Sequence, residues 1–308
     1  MGDGPTRHLC TTLHEYASTL GKQNFFLVGE VTGSRAYDVV AVTGLDAALG
    51  IGNVQASLWT TCKGQSNPEN YFNLFRNAAF LKKGSDAWLR DKIVTMIDDH
   101  DQVWRGGDKA RFCSDALGQS LALAAIGLNL TTLGIPCIYY GTEQLFDGKG
   151  GNDRYIREAM FGGTFGAFRS RGRHFFSEST ALYRQISEIM ALRNRYLALR
   201  QGRQYLREIS GNGVNFGYPK AVGSRMKSVV AWSRILADQE FLCAINTDTE
   251  EEAVAYVTVD VRLHRTGDRL NVVYDSSGGK IKKEIKVEER NGKAVLVTIP
   301  PAGFAIFK

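Results

Sequence analysis

The sequence Gly134-Ile-Pro-Cys-Ile-Tyr-Tyr-Gly-Thr-Glu143 combines a short apolar run with a polar turn. The run from Ile135 to Tyr140 has the length and composition of a buried strand, and Gly141 ends it. An apolar segment from Ser114 to Leu133 comes directly before it and is long enough for a helix, with Ser114 as the expected N-cap. This succession of a helix and a strand is the repeating unit of an α/β fold.

Three further apolar runs of strand length lie upstream of this unit. They are Asn24-Phe-Phe-Leu-Val-Gly29, Asp46-Ala-Ala-Leu-Gly-Ile51 and Lys92-Ile-Val-Thr-Met-Ile97. Uninterrupted apolar runs are typical of parallel strands that are buried on both faces. Helical patterns accompany them, and these patterns cover 11–20, 68–81, 114–133 and 180–200. Residues 1–202 therefore predict an α/β domain with four strand–helix units.

After residue 202 the pattern changes to short strands in which apolar and polar residues alternate. The predicted strands are 228–233, 240–246, 253–261, 269–273, 280–288, 294–299 and 303–307. Turn sequences such as Asn291-Gly292 separate them. Strands at this spacing are typical of a β-sandwich. The sequence thus predicts two domains, a strand–helix domain over 1–202 and an all-β sandwich over 203–308.

The composition is that of an ordinary globular protein. The 308 residues are 44% hydrophobic and 23% charged with a net charge of +6, which excludes intrinsic disorder. The positive charge is spread along the chain, so we expect no nucleic-acid partner. The most apolar run, Leu121 to Leu128, is shorter than the ~20 residues of a membrane span, and the N-terminus has no export signal. We therefore expect no membrane contact and a cytoplasmic location.

Acidic residues follow three of the four predicted strands of the first domain. Glu30 follows the first strand, the run Asp98-Asp-His-Asp101 follows the third, and Glu143 follows the fourth. In a barrel of alternating strands and helices, the C-terminal ends of the strands carry the catalytic groups. A single acid there is more often a loop salt bridge or a helix cap. Two carboxyl groups that face one substrate suit glycoside hydrolysis, where one protonates the leaving oxygen and the other attacks or stabilises the sugar.

Other residues near these strand ends suit the recognition of a sugar. His100 can donate hydrogen bonds to sugar hydroxyls, and Trp104 and Tyr140 can stack on pyranose faces, although core packing is the commoner role of any one such ring. The run from Asp98 to Asp101 also raises the alternative of a metal enzyme. Successive residues of an extended chain point to opposite faces, however, so we expect no metal site here.

Three stretches of the chain resemble motifs of the α-amylase family of glycoside hydrolases, in the family's order. They are Phe26-Leu-Val-Gly-Glu-Val31, Met96-Ile-Asp-Asp-His-Asp101 and Gly134-Ile-Pro-Cys-Ile-Tyr-Tyr-Gly-Thr-Glu143. The resemblance continues in Asn152-Asp-Arg-Tyr-Ile-Arg-Glu-Ala-Met160 and in Leu192-Arg-Asn-Arg195. It covers most of residues 8–200, and a sandwich domain usually follows the barrel in that family.

The resemblance implies a C-terminal portion of such an enzyme, with strands five to eight of a (β/α)8 barrel followed by the sandwich. It implies that Glu30, after the fifth strand, is the general acid/base and that Asp101, after the seventh, stabilises the oxocarbenium-like transition state. His100 would bind the sugar at the cleavage subsite. The implied substrate is an α-glucan or maltooligosaccharide, which a retaining hydrolase or transglycosidase processes without a cofactor.

Two motifs of the family are missing from the sequence: the first-strand motif, an Asp followed at four or five residues by Asn-His, and the motif of the nucleophile. The family's nucleophile is an Asp in a Gly-x-Arg-x-Asp pattern followed by Lys-His, and no such pattern occurs in the chain. We therefore expect this chain alone to be inactive, as a gene fragment, the product of a misassigned start, or half of a split enzyme whose N-terminal half barrel is a separate partner chain. The family's calcium site usually draws on the missing region, so we expect none here. The alternative is a non-catalytic carbohydrate-binding or scaffold module with an amylase-like fold.

Overall fold

A computed structural model gives the structure of residues 3–31, 36–49, 52–75, 89–160 and 177–308. The helices in these ranges are α1 (Asp3–Thr19), α2 (Ala36–Thr43), α3 (Gly52–Cys62), α4 (Glu69–Phe72), α5 (Leu89–Lys92), α6 (Ala116–Thr131), α7 (Ala181–Arg195) and α8 (Leu197–Gln201). Short 3₁₀ turns lie at Asn73–Phe75, Val103–Arg105, Phe112–Ser114, Thr142–Gln144 and Asp153–Ile156. Within the described ranges, no helix combines the length and apolar character needed to cross a bilayer. The cytoplasmic location stays a prediction.

Four short parallel strands lie side by side in the order of the sequence. They are β1 (Val28–Glu30), β2 (Ala47–Leu49), β3 (Val94–Thr95) and β5 (Ile135–Pro136). β1 pairs with β2, β3 pairs with β5, and a parallel bridge from Ala48 to Ile93 joins the two pairs. The loops after β3 and β5 form a small antiparallel ribbon of β4 (Lys109–Ala110) and β6 (Lys149–Gly150). The C-terminal ends of the four parallel strands therefore meet at one edge, as the sequence predicts.

The first strand is not buried, which makes one expectation from the sequence wrong. Phe25 is 45% exposed, Phe26 is 50% exposed and Val28 is 45% exposed. A strand is buried on both faces only where a layer covers each face. Among the described residues, β1 has only β2 as a neighbour in its sheet. The apolar run 24–29 therefore leads into an exposed edge strand, whose free side could pair with a further strand.

Helix α6 lies at the centre of the packing. Its sequence is apolar on nearly all sides, a pattern typical of a fully buried helix. Leu121, Ile126 and Leu128 are at most 1% exposed, and they belong to one core that extends from the parallel strands to the β-rich part. A Cβ atom added at Gly127 would lie 2.5 Å from a ring carbon of Phe304. The close contact between α6 and the β-rich part therefore depends on the missing side chain at this position.

The N-terminal end of α6 is fixed by Asp115. Its Oδ1 accepts a hydrogen bond from the Gly118 N–H at 2.6 Å, so Asp115 is the N-cap. The predicted cap, Ser114, belongs instead to the preceding 3₁₀ turn. The same carboxylate accepts hydrogen bonds from the buried Nζ of Lys63 at 2.8 and 2.9 Å. A carboxylate can serve both partners, whereas a serine hydroxyl cannot neutralise the ammonium group.

The C-terminal end of α6 is fixed by two arginines. Arg193 of α7 donates to the Leu130 carbonyl at 2.7 Å, and Arg234 donates to the Thr131 carbonyl at 2.7 Å. The last carbonyls of a helix have no partner within the helix and carry partial negative charge, which cations offset. Gly134 follows with a φ of 103°, where the chain turns into β5. The helix itself ends at Thr131 with Thr132 as its C-cap, so the predicted end at Gly134 lies too far along the chain.

Residues after 202 form a nine-stranded sheet. Its strands are β7 (Arg203–Leu206), β8 (Ile209–Ser210), β9 (Val229–Leu236), β10 (Gln239–Asn246), β11 (Ala253–Thr258), β12 (Arg269–Asp275), β13 (Glu284–Glu288), β14 (Ala294–Ile299) and β15 (Phe304–Phe307). The hydrogen-bonded order is β7-β9-β10-β15-β12-β13-β14-β11-β8. β9 also contacts β11, and β10 contacts β14, so the sheet folds over on itself around residues such as Leu242, Val257 and Val297. All seven predicted strands are present, while β7 and β8 were not predicted.

Replacement of Gly127 by alanine should destabilise the protein. In an open helix the exchange is favourable by up to about 1 kcal/mol. Here the new methyl group meets the Phe304 ring, so we expect the free energy of unfolding to fall by about 1–3 kcal/mol, as for other overpacked cores. Urea denaturation measures the change. Gly4→Ala in α1 is the control, because a Cβ atom added at Gly4 has no neighbour within 4 Å. It should leave the free energy of unfolding unchanged or raise it slightly. Equal results for the two variants would contradict the packing role of Gly127.

Candidate active site

A tight turn after β3 sets the positions of His100 and Asp101. Asp99 shapes the turn, because its Oδ1 accepts hydrogen bonds from the backbone N–H groups of Asp101, at 2.8 Å, and of Gln102. Gln102 has a φ of 43°, which places it in the left-handed region. The chain therefore changes direction directly after Asp101.

Glu30, His100 and Asp101 converge at the C-terminal edge of the strands. The His100 Nε2 lies 3.5 Å from Glu30 Oε2 and 3.4 Å from Asp101 Oδ2. The three donor atoms all lie within 4.8 Å of one another. The side chains are 41%, 37% and 29% exposed, in the order Glu30, His100 and Asp101. The two acids and the histidine predicted from the sequence thus face one solvent-accessible space.

Arg157 holds two of these residues in place. Its Nε donates to the His100 carbonyl at 2.9 Å, and its Nη2 forms an ion pair with Asp101 Oδ1. A guanidinium that binds two groups at once fixes their relative orientation. Asp101 therefore turns its other oxygen, Oδ2, toward His100.

Lys109 binds the backbone of the same loop. Its Nζ donates to the carbonyl of Asp101 and, at 3.2 Å, to that of Gln102. The ammonium group also pairs with Asp153 Oδ1 at 2.9 Å, and Arg157 Nη2 lies 4.0 Å from the other oxygen of Asp153. Asp153 thus balances both cations, and the two cations hold the backbone and the side chain of Asp101.

Glu158, the residue after Arg157, forms a buried ion pair with Arg111. The Nε of Arg111 is 3.0 Å from Glu158 Oε2, and these side chains are 0% and 2% exposed. Arg111 also donates to the Tyr140 carbonyl at 2.9 Å, while Glu158 Oε1 accepts from the Gly148 N–H at 2.6 Å. The pair therefore joins the loop after β3 to the two segments that follow β5.

Asp98 adds a second buried connection between these loops. Its two oxygens accept hydrogen bonds from the Phe112 N–H at 2.7 Å and from the Thr142 hydroxyl at 3.0 Å. Burial raises the pKa of the Asp98 carboxyl above its ordinary value, and the nearby positive charge of Arg111 opposes that shift. Asp98 faces the protein interior and not the cluster of Glu30 and Asp101.

Trp104 and Tyr140 pack mainly against other aromatic rings. Trp104 is half-buried with its ring centroid 5.7 Å from that of Trp59, edge to face. Tyr140 is half-buried, lies 4.6 Å from the Tyr139 centroid and donates its hydroxyl hydrogen bond to the Glu158 carbonyl at 2.9 Å. These contacts hold both rings near the strand ends. Their stacking on a sugar stays a prediction.

The sequence reasoning missed the residues that support the cluster. Arg111, Arg157 and Glu158 lie in loops, where neither helical nor strand periodicity marks a position. Residues 152–160, which resemble the family, include Arg157 and Glu158, but the resemblance implied no role for these charged residues. Contacts between residues so far apart in the sequence follow from the fold alone.

Sequence comparisons find relatives that are named α-amylases and cyclomaltodextrin glucanotransferases. No family model matches the chain. The chain is 30% identical over 177 residues to an α-amylase of Niallia circulans, which covers 56% of the chain and 30% of that protein. It is 31% identical over 155 residues to a cyclomaltodextrin glucanotransferase of Bacillus licheniformis, covering 50% of the chain and 18% of that protein. An α-amylase of Streptomyces lividans is 27% identical over 277 residues, covering 80% of the chain and 27% of that protein.

Solved structures show the same fold. A cyclomaltodextrin glucanotransferase with a three-domain ABC distribution matches all of the chain and 54% of its own length, with a TM-score of 0.68 and 23% identity. An α-amylase from Geobacillus thermoleovorans in complex with acarbose matches all of the chain and 57% of its own length, with a TM-score of 0.68 and 15% identity. The chain thus has the fold of about half of each solved protein, and its alignments span less than a third of the curated relatives.

Removal of one member of the Arg111–Glu158 pair should destabilise the protein strongly. Glu158→Gln leaves the buried guanidinium without its counter-charge, and the expected loss in the free energy of unfolding is about 3–5 kcal/mol. Thermal and urea unfolding measure the loss. Glu284→Gln, in the Arg269–Glu284 pair whose side chains are 65% and 47% exposed, is the matched control and should cost no more than about 1 kcal/mol. Similar losses in the two variants would show that Glu158 does not have this structural role.

Proposed function

Because the chain is a relative of the α-amylase family of glycoside hydrolases, we propose that Glu30, His100 and Asp101 form one side of an active site for α-glucans. The reaction is cleavage of a glucosidic bond with retention, followed by transfer to water or to another sugar. The observation that carries the proposal is the convergence of these three side chains within 4.8 Å from two separate strand ends. Strand ends five and seven of the barrel are their proposed positions.

In the proposed mechanism Glu30 is the general acid/base. It is the last residue of β1, and its carboxyl group is 41% exposed, so a substrate can reach it. The protonated acid donates to the leaving glycosidic oxygen, and the carboxylate later accepts a proton from the incoming water or sugar hydroxyl. His100 donates a hydrogen bond to a hydroxyl of the sugar at the cleavage site. Trp104 and Tyr140 border the substrate in this proposal.

Asp101 stabilises the positive charge that develops on the sugar. Its Oδ1 is held by Arg157, so the direction of Oδ2 is fixed before the substrate binds. A preoriented negative group stabilises an oxocarbenium-like transition state without reorganisation during the reaction. Arg157 is therefore a positioning residue in this proposal.

The chain supplies no residue in the family's nucleophile pattern. We propose that the 308 residues alone bind α-glucans without cleaving them, and that the nucleophile belongs to barrel strands outside these residues. The exposed apolar edge of Phe25, Phe26 and Val28 supports this, because further strands of a barrel would pair with β1 and cover it. Those strands are supplied by another part of the same protein or by a separate half-barrel chain. Because the nucleophile pattern is missing, a purely carbohydrate-binding module is the alternative function.

Calorimetric titration with maltohexaose tests the binding part of the proposal. The chain should bind the sugar, and His100→Ala and Asp101→Asn should each weaken binding about tenfold, which corresponds to the roughly 1.4 kcal/mol of a lost hydrogen bond to a charged or polar partner. Glu252→Gln, an exposed acid in the β-rich part, is the control and should bind like the parent chain. Absence of binding, or equal binding by all variants, would remove the proposed site.

Complementation with an N-terminal half barrel tests the catalytic part. A half barrel from a related α-amylase, carrying the Arg-x-Asp nucleophile, is joined to the chain or co-expressed with it. The product should hydrolyse starch, and Glu30→Gln should lower the rate by about 10²–10⁴, the usual contribution of general acid catalysis. Replacement of Phe25 and Phe26 by serine should weaken the assembly of separate halves without reducing maltohexaose binding by the chain alone.

Three outcomes would contradict the catalytic proposal or one of its assigned roles. Starch hydrolysis by the 308 residues alone would show that they contain a nucleophile. A complemented barrel that binds maltohexaose and matches the far-UV spectrum of an intact amylase, yet cleaves nothing, would favour the binding module. Full activity in the Glu30→Gln variant would remove the assigned role of that residue.

A further inference from the structure

Glu30, His100 and Asp101 lie at ion-pair distances that are longer than a hydrogen bond. The distances of 3.4 and 3.5 Å from the His100 Nε2 to the two carboxylate oxygens exceed the usual N–H···O range of 2.7–3.2 Å. Within the described residues, these two contacts are ion pairs with a longer separation than a hydrogen bond. The imidazole nitrogen and the two oxygens therefore surround a gap without closing it.

This gap has the dimensions of a tetrahedral metal site. Zinc binds histidine nitrogen at about 2.0–2.1 Å and carboxylate oxygen at about 2.0–2.2 Å, so neighbouring ligands of a tetrahedral zinc ion lie about 3.3–3.5 Å apart. The two measured distances from His100 agree with that edge length. The remaining pair, Glu30 and Asp101, lies within 4.8 Å, and the Glu30 side chain is 41% exposed, so packing does not prevent it from turning toward an ion.

We infer that Glu30, His100 and Asp101 bind a divalent transition-metal ion such as Zn²⁺, with the fourth position open to water. One imidazole and two carboxylates suit zinc and copper, whereas calcium and magnesium prefer oxygen ligands alone. The sequence gave the opposite expectation because it considered only the adjacent residues 98–101. The structure instead takes its third ligand, Glu30, from another strand.

The surroundings of the cluster prepare it for a metal. Arg157 binds Oδ1 of Asp101 and the carbonyl of His100, so both ligands are oriented by a neighbour that leaves Oδ2 and Nε2 free for the ion. Such outer contacts raise metal affinity by holding ligands in their bound geometry. The positive charge of Arg157 opposes a cation, but the two carboxylates of Glu30 and Asp101 offset it. Because the charges of Arg157 and the two carboxylates oppose each other, we expect moderate affinity for zinc. The site should therefore be filled only when zinc is supplied.

Metal and sugar exclude each other at this cluster. The ion occupies the carboxylate of Glu30 and the imidazole that the proposed function assigns to the substrate. Zinc should therefore inhibit sugar binding. This consequence rests on the proposed function, whereas the metal site itself depends only on the three ligands.

Zinc titration in chelator-free buffer tests the site, by calorimetry and by competition with a zinc-sensitive dye. We expect one zinc per chain at the cluster, with affinity lowered at least about tenfold in each of Glu30→Gln, His100→Gln and Asp101→Asn. Calcium and magnesium at roughly millimolar concentration should not displace it. His14→Gln is the matched control, because His14 also contacts one carboxylate, Asp46, at 3.0 Å but has no third ligand in the described residues. Circular dichroism verifies folding, and the exposed Glu30 variant keeps the test valid if another variant unfolds.

The outcomes distinguish the two proposals. Zinc affinity that is unchanged in all three variants, or lost in His14→Gln instead, overturns the metal site. Zinc binding at the cluster with no maltohexaose binding overturns the proposed function and leaves the metal site standing. Maltohexaose binding without zinc binding overturns the metal site alone. When both bind, a maltohexaose affinity that does not fall as zinc is added overturns the claim that they compete.

Discussion

The buried helix α6 is the constraint on which the rest of the structure depends. It connects β3 to β5, so its position fixes the spacing of the strands whose ends carry the candidate site. Its N-terminus is tied to Lys63 through Asp115, and its last carbonyls are tied to Arg193 and Arg234. Since Arg234 belongs to β9, the β-rich part takes part directly in holding the helix. The two parts of the chain therefore share a core instead of meeting at a polar surface.

The candidate site inherits this rigidity through charged contacts. The ion pair of Arg111 and Glu158 joins the loops after β3 and β5. Arg157, the residue before Glu158, binds Asp101. A buried ion pair is costly to form unless its geometry is well satisfied, and it is often no more stabilising than apolar packing. Its value here is orientation, because it determines where the neighbouring Arg157 lies. The exposed cluster is thus held by Arg157, and the residue after it, Glu158, is buried in an ion pair with Arg111.

The sequence predicted the parts of this arrangement that depend on local patterns. Apolar runs located the four parallel strands, alternation located seven strands of the β-rich part, and acids after strand ends located Glu30 and Asp101. The sequence did not predict features that depend on contacts with residues far away in the chain. Asp115, and not Ser114, is the cap, and it also binds Lys63, which directly follows α3. Arg157 contacts Asp101 only because the fold brings the two loops together. The exposure of Phe25 and Phe26 also escaped prediction, because an apolar run looks the same whether or not a layer covers it.

The geometry of the cluster does not depend on the strands that would complete a barrel. Glu30 is held by pairing of β1 with β2, and His100 and Asp101 are held by the turn at Asp99 and by Arg157, all within the described residues. Ground-state binding needs only such prepositioned groups, whereas a retaining reaction also needs a nucleophile on the opposite side of the sugar. The proposed binding and the proposed cleavage are therefore physically separable. The proposed recognition of a sugar or a metal ion involves loops whose supporting contacts lie within the described residues, so it does not require further strands beside β1.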